Sequence, residues 1–466
     1  MKVHLSAICG TAMASLAGLL RELGHEVTGS DQDVYPPMST QLEALGIPIR
    51  SPYAETNVPV DADLVVVGNA LSRGNPEVEV VLERRQRFTS LPALLAEELL
   101  RPRRPLVVAG THGKTTTASL LAYLLHSAGL DPSFLIGGVP VDFGRSYRLG
   151  GGPHFVIEGD EYDCAFFDKR PKFVHYLPTL AVINNLEYDH ADIYPDLGAV
   201  QLAFVRLLLV VPRNGLLIAG TESPALREIL PQARCRVETF GLHEAADWRA
   251  VELRADRGGS SFRLLCRGAD EGEVRLPLAG EHNVRNALAA IAAAAQAGVA
   301  PAAAGKSLAA FRGVKRRLEV RGCVAGVTVY DDFAHHPTAV AATLRGLRAS
   351  AAGRLLAVFE PRSYTSRTRV FQDDFARAFR AADHVVVAAA HLPGKVPEGE
   401  RLSEADLVAG IRVAGGDAVF IPDVDGIVRH LAARVQPGDS VAILSNGGFG
   451  GIHDKLLRAL EASGAG

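Results

Sequence analysis

Cysteine is scarce in this chain. Five occur in 466 residues: Cys9, Cys164, Cys235, Cys266 and Cys323. The number is odd, the spacing is wide, and no Cys-x-x-Cys pair occurs, which argues against a disulfide framework or a cysteine zinc site. Long apolar runs are also missing. No stretch of 18 apolar residues exists, so no membrane span and no membrane partner are expected. The start, Met1-Lys2-Val3-His4-Leu5, enters a strand-like run at once and lacks a signal peptide's apolar stretch and cleavage site. These absences together predict a cytoplasmic protein. An excess of charge is lacking too. The net charge is −3, so no basic field is available to hold nucleic acid, and no nucleic-acid partner is expected. Only 8 of the 49 basic residues are lysine, and the arginines are scattered, which reads as compositional bias rather than function.

What remains is an ordinary globular balance, 48% hydrophobic and 22% charged, against disorder of the whole chain. At roughly 100–200 residues per domain the length suggests about three domains. Strand and helix signals alternate, the rhythm of an α/β chain with parallel sheets. Two joints separate three blocks. The first is Arg101-Pro102-Arg103-Arg104-Pro105, a stiff exposed connector; the second is softer, near Phe311 to Leu318. The expected domains are residues 1–102, 103–314 and 315–466. In the middle block, strands are expected at Leu106–Ala109, Phe155–Ile157, Ala181–Ile183 and Leu216–Ile218. An antiparallel stretch is expected from Val251 to Leu278, and a helix from Val284 to Ala297.

The strongest chemical signal is Gly110-Thr111-His112-Gly113-Lys114-Thr115-Thr116, placed between an apolar strand and a helix as a phosphate-binding loop requires. Backbone N–H groups at a helix start cradle phosphate oxygens. Lys114 is expected to reach the β/γ phosphates, and the Thr115 hydroxyl to ligate magnesium. After the strand at Phe155–Ile157 comes Glu158-Gly159-Asp160-Glu161-Tyr162-Asp163. Hard carboxylate oxygens suit magnesium, and Glu158, first after the strand, is the chosen ligand. A solvated acidic turn is the alternative. After Ala181–Ile183 comes Asn184-Asn185-Leu186-Glu187-Tyr188-Asp189-His190, where His190 is placed as a further metal ligand. Glu281-His282-Asn283 precedes the alanine-rich helix. Asp331-Asp332-Phe333-Ala334-His335-His336-Pro337 follows a strand at Val327–Tyr330 and reads as a working loop, with helix capping as the alternative. Near the start, Cys9-Gly10-Thr11 joins strand to helix without a full Gly-x-Gly-x-x-Gly, and Ser30-Asp31 ends the second strand. Dinucleotide oxidoreduction stays open for that block on its own.

These motifs resemble the Mur ligase family over essentially the whole chain. The resemblance rests on the Gly110–Thr116 loop, the Glu158 cluster, the run ending in His190, His282-Asn283 and Asp331-Asp332. Further stretches that carry it are Gly29-Ser30-Asp31 with Tyr35-Pro36-Pro37-Met38-Ser39, Gly68-Asn69-Ala70, Glu161 to Arg170, and Ser445-Asn446-Gly447-Gly448-Phe449-Gly450-Gly451. The resemblance implies a Rossmann-like domain for a UDP-sugar, a central P-loop ATPase with a mixed sheet, and a Rossmann-like C-terminal domain. It implies an ATP- and Mg2+-dependent ligase, a monomer or weak homo-oligomer. The reaction it implies joins UDP-N-acetylmuramic acid to L-Ala-γ-D-Glu-meso-diaminopimelate through an acyl phosphate, in peptidoglycan recycling. L-alanine as the amine, in de novo synthesis, is the alternative, and a nucleotide-regulated binding protein without ligation is a third reading. By resemblance, His282, Asn283, Arg317 and Asp331 join the phosphate loop in binding ATP. Gly10, Thr11, Ser30, Asp31 and Asn69 take the UDP end, and Arg362, Ser445 and Asn446 take the peptide. Lys114, Glu158, His190 and His335 do the chemistry, with His335 orienting or deprotonating the amine. Ala7 stands where the family has a glycine. No lysine occurs between Lys172 and Lys306, as in the muramate-using branch of the family.

Overall fold

The computed structural model describes residues 1–32, 34, 38–256 and 259–464; Tyr35, Pro36 and Pro37 lie outside the described residues. Among the described residues three large sheets follow one another along the chain, and a separate antiparallel pair joins Asp163–Ala165 to Asp168–Pro171. The first has five parallel strands in the order Ile49–Arg50, Glu26–Ser30, Lys2–Ser6, Leu64–Val67, Phe88–Ser90. Parallel neighbours need crossovers, and the helices Thr11–Glu22 and Pro76–Glu83 lie in two of them. All four residues of Leu64–Val67 are buried, as a strand covered on both faces demands.

The second sheet has ten strands. Leu180–Ile183, Arg104–Ala109 and His154–Gly159 run parallel at its centre. Trp248–Asp256, Gly259–Cys266 and Ala269–Leu276 form the antiparallel extension that the sequence predicts. The alanine-rich helix Glu281–Gln296 packs on the helix Lys114–Ser127, its small side chains allowing close approach over a shared apolar cluster. The third sheet has six strands in the order Glu319–Val324, Val327–Asp332, Ser440–Leu444, Leu355–Phe359, His384–Val387, Ala418–Phe420. Its first pair is antiparallel and the rest are parallel.

Some boundaries differ from expectation, with consequences for the site. The strand at Phe155 extends through Gly159, so Glu158 sits inside it, opposite Val108. The alanine-rich helix starts at Glu281 because Gly280, at φ +96°, caps it, so His282 and Asn283 lie in its first turn rather than before it. The strand at Val327 runs through Asp332, so Asp331 and Asp332 point to opposite faces. The first two units share a core reaching from Leu5 and Leu16 to Tyr147 and Phe155. Glycine is required at position 18 in the helix Thr11–Glu22, where a Cβ would stand 2.1 Å from the Tyr147 ring.

Candidate active site

The strand Arg104–Ala109 enters a loop whose Gly110 and Gly113 hold φ of +127° and +81°, and the helix Lys114–Ser127 starts at once. Only glycine adopts such angles freely. A Cβ on Gly113 would also lie 2.3 Å from Asn286 Oδ1. Asn185 Oδ1 accepts from the His112 N–H at 2.8 Å, and Asn184 Nδ2 donates to the His112 carbonyl at 3.2 Å. The two asparagines after the strand Leu180–Ile183 therefore brace the loop from below. The result is a rigid run of N–H groups at a helix start, an anion site by construction.

Lys114 Nζ folds over this loop and donates to the Gly110 carbonyl at 2.7 Å and to both Glu161 oxygens at 2.9 and 2.8 Å. Burial disfavours the ammonium, but Glu161 and Asp160 outweigh it and raise the Lys114 pKa. Glu161 also meets His190 Nε2 at 3.0 Å. Burial lowers the His190 pKa, and the Glu161 contact more than reverses that. Glu161 is thus the carboxylate that joins the phosphate loop to the His190 turn. Glu158, first after its expected strand, is the expected metal ligand; Glu161 lies in the irregular segment beyond, where no periodicity says which acid turns inward.

Glu158 accepts from the Thr115 hydroxyl at 3.1 Å and from the Gly137 N–H at 2.6 Å. Burial pushes its pKa up against the pull of the Gly137 N–H, Arg317 and Lys114. Arg317, near the end of the second joint, donates to Thr115 Oγ1 at 3.2 Å. Of the three expected metal ligands, Thr115 and Glu158 are in direct contact, whereas His190 is held on Glu161. Thr111 Oγ1 accepts from the Glu187 N–H at 2.9 Å, tying the loop to that segment, and Thr116 is buried in the helix's first turn.

Burial and the charges of Arg285 and Arg345 push the His282 pKa down to about 4. Asn283 faces inward: its Nδ2 donates to the Ala279 carbonyl at 2.8 Å and its Oδ1 accepts from Asn286 at 3.2 Å. Asp331 faces Arg316, Arg321 and His453 of its own unit at 3.4–3.5 Å. Its neighbour Asp332 accepts from the Leu318 and Ala334 N–H groups at 2.7 and 2.9 Å and so braces the segment carrying Arg317. His335 Nδ1 lies 3.0 Å from the Phe333 carbonyl, and burial lowers its pKa despite Asp189.

In the first unit, Gly10 caps the helix that begins at Thr11. Asp31 accepts from the Cys9 N–H at 2.8 Å and the Tyr53 hydroxyl at 3.0 Å, closing the turn. Ala7 sits at φ +68°, a left-handed angle that costs an alanine roughly 1–2 kcal/mol and explains a preference for glycine there. The Ser30 side chain does not reach the sheet's open rim. It is fully buried and donates to Glu77, which also takes Ser6 at 2.6 Å and Asn57 at 2.9 Å. Asn69 Nδ2 donates to the Asp163 carbonyl at 3.4 Å, bridging the first and second units.

In the third unit, Glu360 receives the Ser445 hydroxyl at 2.5 Å and Arg362 at 3.5 Å. The Arg362 side chain lies across Gly447, where a Cβ would stand 1.9 Å from its Nε. Arg316 Nη2 donates to the Ser445 and Gly447 carbonyls at 2.6 and 2.7 Å. Asn446 Oδ1 is buried and has no hydrogen-bond partner among the described residues.

Three sequence patterns match this chain: the Mur ligase family catalytic domain over residues 2–102, the Mur ligase middle domain over 108–294, and the Mur ligase glutamate ligase domain over 316–447. The chain is similar to the UDP-N-acetylmuramate–L-alanyl-γ-D-glutamyl-meso-2,6-diaminoheptandioate ligase of Escherichia coli K12. Identity is 48% over 463 residues, covering 99% of this chain and 98% of that protein. It is 37% identical to the UDP-N-acetylmuramate–L-alanine ligase of Paracidovorax citrulli, over 98% of this chain and 96% of that one. The crystal structure of a murein peptide ligase from Psychrobacter arcticus 273-4 matches with a TM-score of 0.74 and 41% identity, over 99% of both chains.

Proposed function

The chain belongs to the Mur ligase family, and from that premise we propose that it joins UDP-N-acetylmuramate to L-alanyl-γ-D-glutamyl-meso-2,6-diaminoheptanedioate, an ATP-dependent C–N ligation of peptidoglycan recycling. The observation that carries the substrate is the 48% identity, spanning 99% of the chain, with a ligase named for that tripeptide, against 37% with the alanine-adding ligase. Among the described residues no helix is long and apolar enough to cross a membrane. The reaction is assigned to the cytoplasm. Residues 1–102 are assigned to the UDP-sugar, 103–314 to ATP and 315–466 to the peptide.

A carboxylate is a poor electrophile because its charge repels the amine. Transfer of the γ-phosphoryl group to the lactyl carboxylate makes an acyl phosphate; the tripeptide's amine then attacks, and phosphate leaves. The difficulty is accumulated negative charge, and the chain's contribution is preorganised positive charge and N–H groups. The loop amides and Lys114 meet the phosphates. Arg317 brings a guanidinium from the third unit to Thr115. Magnesium fits the donors: a hydroxyl and a carboxylate, hard oxygen ligands already in contact at 3.1 Å. Thr115, Glu158 and His190 would hold it, and when bound it would screen the phosphate oxygens. A free α-amine has a pKa of about 8, so little base strength is needed to use it. Burial keeps His335 neutral, the state in which an imidazole accepts a proton.

Phosphate release from ATP with UDP-N-acetylmuramic acid, compared between L-alanine and the tripeptide, tests the assignment. Turnover with the tripeptide alone is expected. Turnover with alanine alone moves the enzyme to de novo synthesis, and none with either overturns the substrate reading.

A further inference from the structure

We propose that His112, Glu187 and His336 form a binding site for a divalent transition-metal ion of the zinc class, spanning the central and third units. His112 is the third residue of the phosphate loop. Glu187 follows the strand Leu180–Ile183, and His336 caps the helix Pro337–Ser350 of the third unit. One donor atom from each lies within 4.8 Å of the other two. His112 Nε2 is 3.4 Å from Glu187 Oε2, and His336 Nδ1 is 3.9 Å from the same oxygen. A tetrahedral ion about 2.0–2.1 Å from each ligand needs donor separations of roughly 3.3–3.5 Å, so small side-chain rotations complete the set.

Two observations separate this cluster from a chance meeting of polar groups. The outer contacts already orient the ligands. His336 Nε2 donates to the Tyr188 carbonyl at 3.1 Å, which leaves the lone pair on Nδ1. That lone pair accepts the Thr338 N–H at 3.3 Å, a long bond that an ion would replace, and the Thr338 hydroxyl holds Glu187 at 2.7 Å. Next, His112 Nε2 is buried without a well-aligned hydrogen bond among the described residues, although its ring packs on that of His336 with centroids 4.6 Å apart.

Two nitrogens and one oxygen favour zinc-class ions over magnesium, which prefers oxygen alone. The donors are distinct from the Thr115–Glu158 pair. Three protein ligands leave a fourth position, and Glu187 and His336 line a cavity of about 440 Å³ with Arg345, Phe371 and Arg377, through which water or a small anion reaches it. An ion here would staple the third unit to the phosphate loop. A second cluster, Cys164, Asp168 and His175, is a poorer candidate: burial pushes the Cys164 thiol up to about 12, and Asp168 is committed to Arg170.

The test is competition for Zn2+ between a chromophoric chelator and the full-length protein without nucleotide. It does not depend on turnover, so it stands or falls apart from the ligase assignment. One zinc per chain is expected. His112→Gln and Glu187→Gln should each weaken it by at least about 10–100-fold, the loss typical of disturbing even an outer-shell partner. Cys164→Ser should change nothing. Co2+ in the wild type should show the visible bands of a nitrogen-ligated centre, and both variants should lose them. Circular dichroism checks that the variants fold; His336→Gln also removes a helix cap and is read only beside them. No zinc on the wild type, equal affinity in the two variants, or loss of the site in Cys164→Ser overturns the proposal.

Discussion

Glu161 holds Lys114 with both carboxylate oxygens, at 2.9 and 2.8 Å, and only 2% of its side chain is exposed. The lysine of the phosphate loop is thus neutralised by a buried acid that a polyphosphate must compete with. The same acid holds His190 at 3.0 Å, so a group that draws Lys114 away also loosens His190.

Lys114→Ala should lower kcat by about 10²–10³-fold, the loss seen when one preorganised charge contact is removed. It should also destabilise the fold, by less than the about 3–5 kcal/mol of a fully unpaired buried charge, because His190 stays beside Glu161. Lys114→Ala with Glu161→Gln should regain much of that stability and none of the activity. Urea unfolding of the two variants separates the effects.

Arg317→Ala should reduce kcat/KM for ATP by about 100-fold while leaving the fold intact. Arg317 reaches Thr115 from another unit and stacks on Phe333 at 4.9 Å, so it links the two units where phosphate is expected. Arg317→Lys should rescue little, since an ammonium lacks the planar fork that allows both contacts. Steady-state kinetics with ATP varied checks this.

Asn446→Ala should raise the KM for tripeptide about tenfold, the worth of one hydrogen bond of about 1–1.5 kcal/mol, with KM for ATP unchanged. The Asn446 Oδ1 atom is buried and unpartnered among the described residues, so losing it should cost the folded protein nothing. A drop in thermal midpoint with an unaltered tripeptide KM would count against peptide contact.

Stability should fall as pH drops from 6.5 toward 4, with His282 contributing. Its folded pKa of about 4 is depressed from 6.5 by burial and by Arg285 and Arg345. The unfolded chain therefore binds the proton first, and stability is lost as pH falls through that window and is level below it. The His282 share is at most about 3 kcal/mol. His282→Gln should flatten this part of the profile in urea titrations.

Much of the fold was legible because continuous apolar runs and glycine turns are local. Leu64–Val67, Leu216–Gly220 and Ser440–Leu444 sit where apolar patterning places strands. The phosphate loop was legible for the same reason, since strand, glycines, lysine and helix are contiguous. Ser30 and Asn283 were harder. Both are polar residues at the ends of elements, where solvent display and inward hydrogen bonding look alike in sequence. The structure turns Ser30 onto Glu77, 47 positions away, and Asn283 onto Asn286.

The sequence by itself determined the three α/β blocks, the phosphate loop and the acidic and histidine-bearing strand ends, because each depends on neighbours within a few residues. Only the tertiary structure decided that Glu161 rather than Glu158 takes Lys114 and His190, that Arg317 crosses to Thr115, and that His336 meets His112 and Glu187. Those choices depend on which face of a strand or loop turns inward once three sheets pack together. That is set by burial and charge pairing across distant segments.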